Sequence, residues 1–189
     1  MELNIRPMER GDWPEAVEIL YQSIQTNNDT FLLECPDFDQ WDVSNLPDCR
    51  LVMEDDYSIV GWASLSSVSP LEAYKGVASV SIYLDAEHRE KDSAVSLLSA
   101  LVEESEKAGY WLLESEIFES NHPKLSFFEK CSFRRVGTRE RVAKDRFGVW
   151  RSLVLMERRI QTDKAGGCDC DMIKQMQGES CSGNPESCC

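Results

Sequence analysis

Residues 79–101 read SVSIYLDAEHREKDSAVSLLSAL: an apolar strand, a charged turn and an amphipathic helix in direct succession. Val80, Ile82 and Leu84 fall on one strand face. Ala94, Leu97, Leu98, Leu101, Val102 and Ser105 recur at i, i+3, i+4, i+7 and i+8, the pattern of a helix laid on a sheet. A strand that runs straight into a helix presents backbone N–H groups with no intrahelical partner, at the positive end of the helix dipole. Such a junction accepts an anion, and a pyrophosphate-bearing cofactor is a natural occupant. A plain strand–helix connection fits the same residues, so the segment alone leaves both readings open.

The flanking sequence alternates elements in the same way. A short strand is stopped at Pro7, Asp12 and Pro14 signal a helix start, and Ala16, Val17, Ile19, Leu20 and Ile24 carry that helix to about Gln25. A short helix is expected at 37–41, a strand at 50–54, a turn at 55–58 and a strand at 59–66, with a loop at 69–76. Gly61, inside the strand, marks a bulge or a close backbone approach. Beyond the central helix, Gly109 supplies a C-cap and residues 110–118 alternate as a strand. A helix is expected at 124–131 behind Pro123, followed by strands at 134–142 and 149–157 joined by Asp145-Arg146-Phe147-Gly148.

The 189 residues suffice for a full hydrophobic core in one domain. A formal charge of −14 argues against nucleic acid and anionic membranes as partners, since both are bound chiefly through Lys and Arg. No apolar run approaches the roughly 20 residues of a membrane span, and MELNIRPMERGDW has no signal-like apolar stretch, so a soluble, cytoplasmic protein is expected. In that setting the eight cysteines point to reduced thiols or metal chemistry rather than a disulfide framework.

Several segments resemble the GNAT-fold N-acetyltransferases, with the phosphinothricin/methionine sulfoximine acetyltransferase branch as the best fit. Ser81-Ile82-Tyr83-Leu84 and Ser96-Leu97-Leu98-Ser99-Ala100-Leu101 match the branch's strand and helix, and Arg89 stands at the start of its turn. Gly61-Trp62-Ala63-Ser64-Leu65-Ser66, Ala73-Tyr74-Lys75-Gly76 and Thr26…Thr30-Phe31 match in order, as do Asn121, Glu129, Lys130 and Phe133, and Trp150, Arg151 and Met156 to Arg159. Glu90, Asp92 and Ala94 stand where the turn of the family has small residues, Leu32 and Ser79 replace two carboxylates, and Lys124, Phe128, Ser132 and Ser152 depart as well.

The resemblance covers residues 1–160 and implies an α/β (α+β) domain. Its sheet would be mixed, mostly antiparallel and six- or seven-stranded, with helices on both faces. It implies acetyl-CoA as co-substrate, a small amino-acid-like amine as acceptor and no metal, and it allows a homodimer that nothing in the sequence tests. Carried over residue by residue, the thioester end would meet the amides of Ile82 and Leu84. The pyrophosphate would meet the turn Arg89, Glu90, Lys91, Asp92, Ser93 and Ala94, and Asn121 would be a further cofactor contact. Tyr83 would be the general acid; Phe31, Tyr74 and Lys75 would contact the acceptor. Glu34 and Glu114 remain, beside Tyr83, as titratable groups near the implied cleft. The carboxylates of Glu90 and Asp92 beside a diphosphate predict acetyl-CoA binding that is weakened or lost relative to relatives with turn glycines.

Residues 161–189 read as a flexible, Cys-rich tail. Cys168, Cys170, Cys181, Cys188 and Cys189 present thiolates that suit a soft metal or metalloid, though no standard C-x-x-C pair is among them. The alternative to an enzyme is therefore a catalytically degenerate GNAT domain serving as a binding module, with this tail as its working part.

Overall fold

The computed structural model describes residues 3–89 and 92–160. Seven strands form one sheet: β1 (Asn4–Pro7), β2 (Leu51–Asp55), β3 (Ser58–Ser67), β4 (Val77–Leu84), β5 (Leu112–Phe118), β6 (Arg134–Lys144) and β7 (Trp150–Arg159). They lie in the order β1-β2-β3-β4-β5-β7-β6. All neighbours are antiparallel except β4 and β5. The helices are α1 (Trp13–Thr26), α2 (Phe38–Ser44), α3 (Asp92–Lys107) and α4 (His122–Lys130). The expected mixed, mostly antiparallel sheet with helices on both faces is what forms.

The alternation of the strands sorts the core into two clusters. Leu51 and Met53 of β2, with Val80, Ile82 and Leu84 of β4, pack under Ala94, Leu97, Leu98 and Leu101 of α3 and Leu125 and Phe128 of α4. Val52, between Leu51 and Met53, faces the other way and joins Trp62 beneath Trp13, Ile19, Leu20 and Trp41 of α1 and α2. Trp62 is 2% exposed, and its indole N–H donates to the Ala16 carbonyl at 2.8 Å, so α1 is hydrogen-bonded as well as packed to the sheet.

The register slips between Met53 and Glu54, where Met53 pairs with Gly61 and Glu54 with Ile59, leaving Val60 as the extra residue of a β-bulge. A Cβ on Gly61 would meet Leu84 Cγ at 3.1 Å and the Tyr83 carbonyl at 3.2 Å, so the glycine also permits the close approach of β3 to β4. The two-residue turn before β3 places Asp56 (φ 46°) and Tyr57 (φ 69°) in the left-handed region, which suits the twist of a tight hairpin.

Some boundaries shift. Asp12 sits at the N-cap position of α1 but makes no capping bond. Its carboxylate is instead gripped by both terminal nitrogens of Arg6, at 2.7 and 2.8 Å, which explains the Arg6-Pro7…Asp12 spacing. The guanidinium lowers the Asp12 pKa below the usual carboxylate range, against burial. Strand β5 begins at Leu112 because Trp111 and Leu112 both donate their N–H to the Gly76 carbonyl. Helix α4 begins at His122, capped by the Asn121 side chain, which accepts from Lys124 N at 3.2 Å.

Candidate active site

The central parallel pair comes apart part-way along its length. β4 and β5 are paired only from Val77–Leu112 to Ser79–Glu114. Just past that point Ser115 Oγ donates to the Val80 carbonyl at 3.1 Å, and the strands then diverge. Asp85 N donates to Val60 O on the β3 side, so by strand alternation the backbone groups of Ile82 and Leu84 face the divergence. Their carbonyls accept from side chains there: Ile82 O from Lys124 Nζ at 3.2 Å, and Leu84 O from Arg89 Nε at 2.8 Å.

Two cavities open on this edge. One, about 170 Å³, is lined by Thr26, Asn28, Asp29, Ile82, Leu84, Arg89, Asn121, Pro123, Lys124 and Phe127. The other, about 580 Å³, is lined among others by Asp29, Thr30, Phe31, Leu32, Ser79, Tyr83, Glu114, Glu116 and Lys124. Asp29 and Lys124 belong to both. Their side chains are 13% and 12% exposed and meet at 2.6 Å. The Lys124 ammonium also lies 5.1 Å from the centroid of the Tyr83 ring.

The expected residues fall as follows. Ile82, Leu84, Arg89 and Asn121 line the smaller cavity. Arg89 is held in place by Leu84 O and, at 3.2 Å, by Ser23 Oγ. Asn121 uses its carbonyl to cap α4 and its amide to bind Asn28 O at 2.9 Å, so it joins the helix to the loop after α1. Glu90 and Lys91 lie outside the described residues. Asp92 is exposed at the start of α3, whereas Ser93 and Ala94 are buried, with Ser93 Oγ donating to the His88 carbonyl at 3.3 Å.

Phe31 stacks on Phe118, with ring centroids 4.6 Å apart, in the wall of the larger cavity. Leu32 and Ser79, which replace the branch's carboxylates, face the same space. Tyr74 and Lys75 do not line either cavity; Lys75 is exposed and bonds Glu72 at 2.8 Å. Tyr83 packs against Trp62 at 4.9 Å. Its phenol is held protonated well above the usual pKa, first by burial and then by the charge of Asp29, while a hydrogen bond with Thr30 pulls the other way. The Glu114 carboxyl is also raised, by burial first and then by Glu116 and Glu157.

The sequence reading missed two features. Lys124 stood out only as a departure, yet its amine sits where the two cavities meet. A signal was present: a cation in the first turn of a helix opposes the helix dipole and calls for a nearby anion. The other is the hold on the turn before α3. Asp85 Oδ1 accepts from Glu87 N at 3.1 Å and His88 N at 2.9 Å and lies 2.7 Å from His88 Nδ1. His88 Nε2 is 3.4 Å from Asp55 Oδ2. An Asx-type network thus shapes the turn that leads into Arg89.

A single sheet with one parallel pair splayed open, a strand–turn–helix beside the opening and two cavities meeting on it defines the GNAT class of fold. The chain belongs to the acetyltransferase (GNAT) family, whose sequence model matches residues 12–133. It is 27% identical over 99 residues to an L-methionine sulfoximine/L-methionine sulfone acetyltransferase of Pseudomonas paraeruginosa, a match covering 52% of this chain and 57% of that protein. The chain thus spans little more than half the length of that relative. It superposes on an N-acetyltransferase of Staphylococcus aureus with a TM-score of 0.76 and 26% identity, covering 85% of this chain and 100% of the other. On a Sinorhizobium meliloti phosphinothricin acetyltransferase in complex with AcCoA the TM-score is 0.79 at 21% identity, covering 88% and 93%. The last likeness speaks for the fold alone.

Among the described residues no helix is long and apolar enough to cross a membrane, and no group of three or more His, Cys, Asp or Glu is placed to hold a metal ion. The clustered cysteines of the tail lie outside the described residues. Cys35, Cys49 and Cys131 are free thiols, each with its pKa raised, chiefly by burial.

Proposed function

We propose that the protein transfers an acetyl group from acetyl-CoA to the amine of a small amino-acid-like acceptor, of the phosphinothricin or methionine sulfoximine type. One observation carries this reading: the splayed edge of β4 is flanked by two cavities that share a wall at Lys124 and Asp29. The smaller suits the thioester end of acetyl-CoA, with the backbone groups of Ile82 and Leu84 facing it and Arg89 and Asn121 on its border. The positive end of α3 lies beyond, toward the diphosphate. The larger suits the acceptor, with Phe31 and Phe118 as an apolar wall. Val68, at the root of the loop that bears Tyr74 and Lys75, also lines it, which keeps those two residues in the proposal as rim contacts.

Acetyl transfer needs an uncharged amine, and the two carboxylates the branch would supply for that are absent here. Glu114 takes the part. It pairs in register with Ser79, faces the acceptor cavity, and has its pKa raised toward the range in which a carboxylate accepts a proton effectively near neutrality. Glu114 takes a proton from the ammonium and passes it to water; the freed lone pair then attacks the thioester carbon, the C–N bond forms as the C–S bond breaks, and Glu114 receives the second proton that nitrogen gives up. Tyr83, packed on Trp62 with its ring under Lys124, shapes the wall of the larger cavity.

The test is a thiol-release assay with acetyl-CoA and a panel of amino acids and sulfoximines, with the N-acetyl product identified by mass spectrometry. Acceptor-dependent release above the rate of hydrolysis supports the reading. Release that no acceptor in the panel stimulates refutes the proposed acceptor class. The alternative, a binding domain whose tail holds a soft ion, rests on cysteines outside the described residues, and no observation here favours it.

A further inference from the structure

The Lys124 ammonium is the least expected group in the cleft. Lys124 is the third residue of α4, where the dipole disfavours a cation, and it is nearly buried. Three contacts hold it: Asp29 Oδ1 at 2.6 Å, Ile82 O at 3.2 Å and the face of the Tyr83 ring at 5.1 Å. Ile82 is the residue at which the β4 edge opens, so Nζ lies on the boundary that a group crossing between the cavities must pass. The other charged or titratable groups lining the two cavities are Arg89 on the smaller and Glu114 and Glu116 on the larger. Glu116 is occupied by Arg139. Among the described residues, Lys124 is therefore the cation common to both cavities.

We propose that Lys124 is a catalytic residue that stabilises and protonates the thiolate leaving acetyl-CoA, with Asp29 as the positioning residue that holds its ammonium there. This rests on the acetyl-transfer reading above. As the amine nitrogen bonds to the carbonyl carbon, the C–S bond breaks and sulfur keeps the electron pair. One Nζ proton passes to sulfur, giving free CoA thiol. Lys124 then regains a proton from water, and Glu114 returns to water the proton it took from the amine. The assignment falls on Lys124 rather than Tyr83 for a geometric reason: Tyr83 lines the larger cavity but not the smaller and packs against Trp62, whereas Nζ touches the splayed edge itself where the two cavities meet. An ammonium also has a second effect, since its charge favours the thiolate even before the proton moves.

The readout that separates this role from mere packing is the pKa of the thiol of bound CoA, followed by thiolate absorbance in the ultraviolet. The full-length reduced protein is compared with Lys124→Met, and with Lys124→Met/Asp29→Leu, in which no unpaired charge is left buried. The thiol of CoA bound to the unaltered protein is expected to titrate about one pH unit or more below free CoA, and both variants should lose that shift. The double variant should also lower kcat by about a hundredfold with little change in the KM for acetyl-CoA, and Lys124→Arg, which keeps the charge, should retain most of the thiol shift. A bound thiol that titrates at the same pH with and without Lys124, in a protein that acetylates an amine, overturns the role of Lys124 and leaves the acetyl-transfer reading standing. Failure of CoA to bind the unaltered protein overturns both.

Discussion

Deleting the Asp29 carboxylate should be costly, and the structure sets the scale. In Asp29→Ala the Lys124 ammonium keeps only the Ile82 carbonyl and the Tyr83 ring as partners. The pair it loses is 2.6 Å apart, with side chains 12% and 13% exposed. Unit charges at such a separation attract by roughly 6 kcal/mol at an effective dielectric of about 20. Breaking a buried pair from one side costs about 3–5 kcal/mol, because the other charge is left uncompensated. The residual exposure and the two contacts that Lys124 retains place the expected loss at the low end, about 3 kcal/mol. A domain of this size loses about 2–4 °C per kcal/mol, so the thermal midpoint should fall by about 6–12 °C. Lys124→Met/Asp29→Leu, with both charges gone and the volume refilled, should recover to within about 1 kcal/mol of the parent. Thermal denaturation followed by circular dichroism measures this, with the parent, Asp29→Leu, Lys124→Met and their double variant forming the double-mutant cycle. A fall below about 2 °C for Asp29→Ala, or additive single effects in the cycle, would refute the reasoning.

Three further outcomes follow from other parts of the molecule. Glu114→Gln should lower kcat by about 10²–10⁴-fold, and the rise of the rate with pH in the parent should run through a pKa above the ordinary carboxylate value, since burial, Glu116 and Glu157 all raise it; a rate profile that the substitution leaves unchanged removes Glu114 as the base. Gly76→Ala brings a Cβ within 2.0 Å of the Trp111 ring, an overpacking expected to cost about 1–3 kcal/mol in urea denaturation, and Trp111→Ala in the same chain should relieve it. Burial works to raise the Asp145 pKa, but hydrogen bonds from Asn27, Val149, Arg151 and Phe147 prevail and hold it at about 2. Because that folded-state value lies below the unfolded one, its contribution is present above about pH 4 and is lost as the pH falls toward 2; Asp145→Asn should flatten that part of the urea midpoint's pH dependence.

The backbone of this protein is legible from its sequence where the signal is periodic. The alternation of Val80, Ile82 and Leu84 and the one-faced repeat from Ala94 to Ser105 give β4 and α3 nearly residue for residue. The spacing of Gly61 foretells the close approach to β4, and the short matches to the GNAT pattern place Ile82, Leu84, Arg89 and Asn121 on one cavity. What the sequence hides are encounters between distant residues. Lys124 and Asp29 are 95 positions apart, and neither is remarkable until α4 is seen to lean over the loop after α1. Glu114 becomes a candidate base only through its register with Ser79. The contact of His88 with Asp55 is equally silent in the sequence, because it depends on Asp55 arriving from β2.

The central claim is that the splayed edge and its smaller cavity take acetyl-CoA, although Asp92 sets a carboxylate at the entry of α3. Isothermal titration of acetyl-CoA into the full-length, reduced protein tests it most directly. Saturable binding with Kd on the order of 100 μM or tighter is predicted. A titration showing no heat and no displacement of a CoA analogue at millimolar ligand would contradict it.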